Sequence, residues 1–409
     1  MLDKNYLLPS AALERVLSVI NCNLSVERAD IDNAFGRVIA SDITSSEDLP
    51  AFSRSTVDGY AVISQDSFGA KETSPAYLTV PHEILMGIEP EFLLTRGNVA
   101  KIPTGGMLPQ GADAVVMLEH CQEVSETMVE VMRSVAPGEN VIRKGEDIRA
   151  GQRLLTKGQR LRPQEIGALA GIGVTEVDLF KRPVISIIST GDEIVPPSSP
   201  MGLGQVRDIN SYTLAGLIRE SGAIPRKWGI FSDDYAVIRG VVEQAWKETD
   251  MVLITGGTSA GVKDMTARII NDLGAPGVLF HGVSMKPGKP MIGGVVEGRP
   301  LMGLPGHPAA VVVCFNVFIR PIIEKLSGVS RKGLPKVIPA RMSKGVSSSA
   351  GREDHIRVSL EQGEGGLSAV PVLGKSGLIA TLVKAEGIVI IPPERPGLDP
   401  GEEVLVHLF

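Results

Sequence analysis

The residues of this chain richest in chemistry are carboxylates that follow apolar runs, and two lysines set in a proline-glycine turn. Asp192 and Glu193 end the stretch Ser189-Thr190-Gly191-Asp192-Glu193, Asp233 stands beside Asp234 after another apolar run, and Asp264 follows the turn Gly256-Gly257-Thr258-Ser259. Carboxylates that converge from separate strand ends hold an oxygen-preferring cation such as Mg²⁺. Taken singly, each is as well explained as a turn residue or a helix cap. Lys286 and Lys289 lie in Met285-Lys286-Pro287-Gly288-Lys289-Pro290. Two ammonium groups in a proline-restricted frame suit a phosphate or another multiply charged oxyanion, the alternative being a solvent-exposed basic turn.

Smaller signals stand beside these. Gly256 and Gly257 let backbone N–H groups approach an anion closely at a helix start, although a glycine pair after a strand is also common turn geometry. Asp208 and Asn210 precede an expected helix, and Gly303-Leu304-Pro305-Gly306-His307-Pro308 reads as strand, tight turn and helix start. His307 is left outside the catalytic set, because a lone histidine at a turn is more often structural. Asp58, in Ser55-Thr56-Val57-Asp58-Gly59-Tyr60-Ala61, reads on pattern alone as a plain Asp-Gly turn.

These loops need elements to position them. After Lys181-Arg182-Pro183 the pattern alternates: strands are expected over 184–188, 227–230 and 251–255, and helices over 211–220, 234–247 and 266–273. Such alternation predicts a doubly wound parallel sheet, whose ligands sit outside the carboxyl ends of the strands, where the acids and glycines fall. A long, largely buried helix over 308–326 closes this domain. Ahead of it, Leu8 to Ile20 has apolar residues at helical spacing and reads as a docking helix, and 43–177 reads as one or two irregular β domains broken by Gly and Pro. From Lys336 to Phe409 a last β domain is expected. The resulting division is 1–180, 181–330 and 335–409.

With 409 residues the chain is too long for one ordinary core. Its 43% apolar and 22% charged composition is that of a globular protein, and a formal charge of -6 gives no basic field for nucleic acid. The longest apolar stretch is too short to span a bilayer and no secretory pattern is present, so no membrane partner and a cytoplasmic location are expected. Three scattered cysteines indicate neither disulfides nor a zinc site.

Taken in order, Asp58-Gly59-Tyr60-Ala61, Pro103-Thr104-Gly105, Ser189-Thr190-Gly191-Asp192-Glu193, Asp208-Ile209-Asn210, Gly256-Gly257-Thr258-Ser259 with Asp264, Lys286-Pro287-Gly288-Lys289-Pro290 and Gly303-Leu304-Pro305-Gly306 resemble the molybdopterin molybdenumtransferase family over nearly the whole chain. The resemblance implies an elongated N-terminal domain, a small β domain made from two separated segments, a doubly wound molybdopterin-binding α/β domain and a C-terminal β domain. It implies an elongated homodimer whose active site is shared between one subunit's sheet domain and the partner's N-terminal and C-terminal parts, with adenylylated molybdopterin delivered by a molybdopterin adenylyltransferase. The implied reaction takes molybdate, inserts molybdenum at the dithiolene sulfurs and releases AMP with Mg²⁺.

On that resemblance Glu193, Asp233 and Asp264 hold Mg²⁺, and Lys286, Lys289 and Asp58 join them as catalytic residues. The pterin nucleotide and oxyanion fall to Thr104, Ser189, Thr190, Gly191, Asp192, Asp208, Asn210, Gly256, Gly257, Ser259, Pro305, Gly306, Arg352 and Ser376. His307 stands where the family often has Asn, and Gly282 where a basic residue often precedes the lysine turn, which leaves tungstate open as the natural oxyanion. A noncatalytic scaffold of gephyrin type is disfavoured by retention of the acids and lysines together. A nucleotide hydrolase is disfavoured by the lack of a GxxxxGK[ST] phosphate loop.

Overall fold

The computed structural model describes residues 6–256, 260–330, 333–334, 336–363 and 365–409. Gly257 and Ser259 therefore lie outside the described residues. At the centre is a six-stranded sheet. Its elements are β1 Val184–Thr190, α1 Asn210–Glu220, β2 Ile224–Phe231, α2 Tyr235–Glu248, β3 Met251–Gly256, α3 Ala260–Leu273, β4 Pro276–His281, β5 Ile292–Val296 and β6 Arg299–Leu304, in the strand order β2-β1-β3-β6-β5-β4. The strands β2, β1, β3 and β6 run parallel, as the alternation requires, whereas β5 is antiparallel to both β6 and β4. The sheet is thus mixed. The reason is the short connection Glu297-Gly298 between β5 and β6, with both residues at positive φ, which leaves no room for a crossover helix and folds the strands into a hairpin.

The strands are apolar almost throughout because both faces are covered. One face packs Ile185, Ile187, Leu253 and Met302 against α1 and the helical run 308–326, and the other packs Ile188, Val252 and Ile254 against α2 and α3. The run 308–326 is helical throughout, with a π-helical segment at Phe315–Ile319. The first helix, Pro9–Val19, inserts Ala12 and Val16 into the same central core, so the chain begins by docking on the sheet.

The discontinuous unit in the N-terminal region is the elongated one, not the small β domain. Val26–Asp30 pairs with Glu176–Phe180, and Ile43–Thr44 pairs with Arg153–Leu155, around a core of Ile39, Leu155, Leu161, Leu169 and Leu179. Between these halves the chain builds a continuous six-stranded sheet from strands within 59–133. Within it Asp58-Gly59 is not a hairpin tip: Gly59 opens the strand Gly59–Val62, where a Cβ would sit 2.0 Å from the Val116 carbonyl oxygen.

In the C-terminal domain, Glu353–Gly363, Gly366–Pro371, Val337–Met342, Glu403–Leu408 and Gly387–Ile391 pair in succession, and the last returns to Glu353–Gly363 to close a barrel. Met285–Lys286, from the central domain, adds to this barrel as a parallel strand, with Met285 opposite Glu353 and Lys286 opposite Asp354. Among the described residues no helix is long and apolar enough to cross a membrane.

Gly256, at the end of β3, has φ +131°, and a Cβ there would lie 1.8 Å from the Thr190 carbonyl oxygen at the end of β1. Backbone cannot yield as a side chain does. Gly256→Ala is therefore expected to destabilise the chain by about 1–3 kcal/mol, read as a lowered urea midpoint at unchanged slope.

Candidate active site

At the carboxyl ends of β1, β2 and β3 the chain gathers polar groups with too few partners. Ser189 is fully buried and its hydroxyl donates to Asp208 Oδ2 at 3.0 Å, while Asp208 Oδ1 accepts from the Ser211 N–H at the start of α1. Ser189 thus positions Asp208 from beneath. Asn210 donates through Nδ2 to Thr255 Oγ1 at 3.0 Å and to the Gly306 carbonyl at 2.9 Å, which fixes the amide between β3 and the turn after β6. Thr190 Oγ1, Asn210 Oδ1 and Asp233 Oδ1 are buried with no hydrogen-bond partner. Buried polar atoms are ordinarily satisfied, so three orphans at one sheet edge make it the candidate place for a ligand or ordered water.

The carboxylates are close but not caged. Asp192 Oδ1 accepts from the Asp233 N–H at 3.2 Å. Burial first, then the charges of Asp192 and Glu193, hold the Asp233 carboxyl above its ordinary value. Asp234 is the side-chain N-cap of α2, accepting from the Val237 N–H. Asp264 is exposed on α3 and is not among the charges acting on Asp233. Among the described residues no three acidic, imidazole or thiol side chains are gathered as ready metal ligands. Asp192 and Glu193 lie close enough to act on Asp233, but the expected meeting of these acids with Asp264 around one point is not seen: Asp264 stands apart on α3.

Two cavities adjoin this edge. The smaller, about 260 Å³, is lined by Glu193, Asp208, Asn210, Gly256 and Gly306. The larger, about 740 Å³, lies between the central domain and the barrel and is lined by Lys286, Lys289, Pro305, Arg352 and Ser376. Arg352 reaches it on a fork to Asp354, from Nε to Oδ1 at 2.7 Å and from Nη2 to Oδ2 at 3.3 Å, and Asp354 is only 1% exposed. The smaller cavity thus carries the acids Glu193 and Asp208 with one cation, Arg207, and the larger is dominated by cations, with Asp354 committed to Arg352 and with Arg352 and Ser376 supplied by this same chain.

His307 lines both cavities and hydrogen-bonds through Nδ1 to Ser376 Oγ at 2.8 Å. Its place at the joint was missed in the sequence because a single histidine in a turn carries no spacing signal; the Leu304-Pro305-Gly306 turn before it is the only available pointer. Tyr6, His355 and Arg357 also line the larger cavity without having been singled out. Asp58 and Thr104 are brought together, with the Thr104 N–H and hydroxyl donating to Asp58 Oδ1 at 2.7 and 3.1 Å, but neither lines these two cavities.

A carboxyl whose folded-state pKa is raised contributes stability below its ordinary pKa of 3.8, and that contribution is lost as pH rises through the raised value. Asp233→Asn, uncharged at every pH, is therefore expected to gain stability relative to the parent between about pH 3 and about pH 7. Added Mg²⁺ should raise the thermal midpoint of the parent and not of the variant. Thermal unfolding at both pH values, with and without Mg²⁺, measures this, and an equal Mg²⁺ response would remove Asp233 from the cation's neighbours.

Comparison with known proteins agrees in domain order. Residues 9–173 match the family described as MoeA N-terminal region (domain I and II), 186–325 the family described as probable molybdopterin binding domain, and 339–409 the MoeA C-terminal region (domain IV). The chain is 34% identical to the molybdopterin molybdenumtransferase of a Nostoc species, covering 93% of this chain and 88% of that one, and 32% identical to that of Bacillus subtilis, covering 100% and 96%. A solved structure of the molybdopterin biosynthesis moeA protein from Pyrococcus horikoshii OT3 superposes with a TM-score of 0.85 at 32% identity, covering 99% of this chain and all of that one. With all three regions matched in order, the chain belongs to the MoeA family, the molybdopterin molybdenumtransferases of molybdenum cofactor biosynthesis.

Proposed function

We propose that this chain inserts molybdenum from molybdate into adenylylated molybdopterin and releases AMP, with Mg²⁺ as the resident cation. The observation that carries the reading is the placement of a cationic cavity and an acidic, under-bonded strand edge on either side of His307. A nucleotide-linked pterin has phosphates for a cation and dithiolene sulfurs that must face an oxyanion, so it needs both environments within one molecule's reach.

The orphaned Asp233 Oδ1, on a carboxyl strained by burial and by Asp192 and Glu193, fits a divalent cation. Mg²⁺ commonly uses one or two carboxylates and completes its shell with water and substrate phosphate, so Asp233 with Glu193 beside it is a sufficient protein contribution. Glu193 and Asp233 would hold it; Asp264, expected from the sequence as a third acid, stands apart on α3 and is left out of the set. When bound, it would neutralise phosphate charge as AMP leaves. Asp208 and Asn210, fixed by Ser189 and Gly306, orient the nucleotide-linked pterin beside Thr190, Gly191 and Gly256. Lys286, Lys289 and Arg352 supply fixed positive charge for the oxyanion, with Pro305 and Ser376 on the wall.

The Asp58–Thr104 pair enters, in this reading, from a second copy of the chain. Exposed Leu85, Met86 and Ile88 lie on the same domain, and a Cβ on Gly105, next to Thr104, would be 3.5 Å from Met86, which supplies apolar surface for that contact. A molybdopterin adenylyltransferase supplies the substrate, and the setting is the cytoplasm.

Purified chain incubated with adenylylated molybdopterin and Mg²⁺ is expected to release AMP only when molybdate or tungstate is present, and the faster oxyanion names the metal. Glu193→Gln should slow release about a hundredfold or more with the fold intact by circular dichroism. AMP release that needs no oxyanion would sink the insertion reading in favour of a hydrolase.

A further inference from the structure

We infer that Tyr6 is a positioning residue for the anion subsite: seated in the notch left by Gly282, it holds the ammonium of Lys289 at the wall of the 740 Å³ cavity. This rests on the reading of the lysine turn as the oxyanion site. Lys289 Nζ lies 4.8 Å from the centroid of the Tyr6 ring, within cation–π range. Gly282 has φ +88°, and a Cβ there would meet Tyr6 Cε1 at 2.4 Å and Cδ1 at 2.7 Å, so any larger residue displaces the ring. The ring is also held from its own backbone. Leu7 bridges Val283, and the Ser284 N–H donates to the Leu7 carbonyl at 2.9 Å.

The physical consequence follows from what lysine is. Its ammonium rides on a flexible four-carbon stem, and capturing an anion with it costs the freedom of that stem. A ring face under the ammonium removes part of that freedom in advance while leaving the opposite side open to an oxyanion. Gly282 thus exchanges a side chain of its own for the ring of Tyr6, and that exchange makes part of the site's affinity depend on the N-terminal segment.

The test uses the full chain, with molybdate and tungstate titrated separately by calorimetry and with molybdate varied in the AMP-release assay. Tyr6→Leu is expected to weaken molybdate binding about three- to tenfold and to raise KM for molybdate with kcat held, whereas Tyr6→Phe, which keeps the ring face, should stay within about twofold of the parent. Lys289→Gln separates the two levels of argument. If it weakens binding while Tyr6→Leu matches the parent, the role given to Tyr6 is wrong. If Lys289→Gln leaves binding unchanged, the lysine turn is not the anion site and the underlying reading fails.

Discussion

A two-residue parallel pairing, Met285–Lys286 against Glu353–Asp354, is the constraint on which the site depends. The Glu353 N–H donates to the Ser284 carbonyl, and the Ser284 hydroxyl donates to the Gly351 carbonyl at 2.5 Å. These few bonds fix a turn of the central domain to the barrel in register. Since Lys286 is opposite Asp354, and Asp354 holds Arg352, the cations Lys286, Lys289 and Arg352 come from two domains to one wall. Separate domains docked only by apolar contact would slide; a strand pairing specifies position to a residue, because a slip by one reverses every side chain.

The acids Asp192, Glu193 and Asp233 and the lysines Lys286 and Lys289 stand on opposite sides of one short turn. The acids follow β1 and β2, where parallel strands end in a common edge, and the cations belong to the junction with the barrel. His307 starts the helical run 308–326 between them, its ring tied to Ser376 and its carbonyl accepting from the Ala310 and Val311 N–H groups. The division keeps carboxylates from neutralising the lysines in the free protein, so both sets remain available to a substrate carrying charge at both ends.

Much of this was legible in the sequence, and the losses have physical reasons. Apolar strands followed by Asp192, Glu193 and Asp233 announce a sheet edge because parallel strands buried on both faces are apolar along their whole length. The antiparallel β5 carries the same apolar signature as its parallel neighbours, so its direction was hidden. Ser189 read as a ligand contact because exposure cannot be seen in a sequence, and its hydroxyl proves to face Asp208. Thr104 meeting Asp58, Tyr6 filling the space over Gly282 and Arg352 resting on Asp354 are relations between positions that no local pattern records. The two-segment unit was placed in the small β domain on the resemblance alone, and the pairings of Val26–Asp30 with Glu176–Phe180 and of Ile43–Thr44 with Arg153–Leu155 put it in the surrounding domain.

Those pairings also set an order of events during synthesis. The small β sheet, complete once Arg133 has emerged, can close while the ribosome is still adding the partners of Val26–Asp30. At about 5–20 residues per second, the first half of the surrounding domain waits roughly 7 to 27 seconds for the last of its partners. Ala34, Val38, Ile39 and Ala40 are among the apolar side chains of that half whose packing partners, Leu169, Val177, Leu179 and Phe180, are the last to be made.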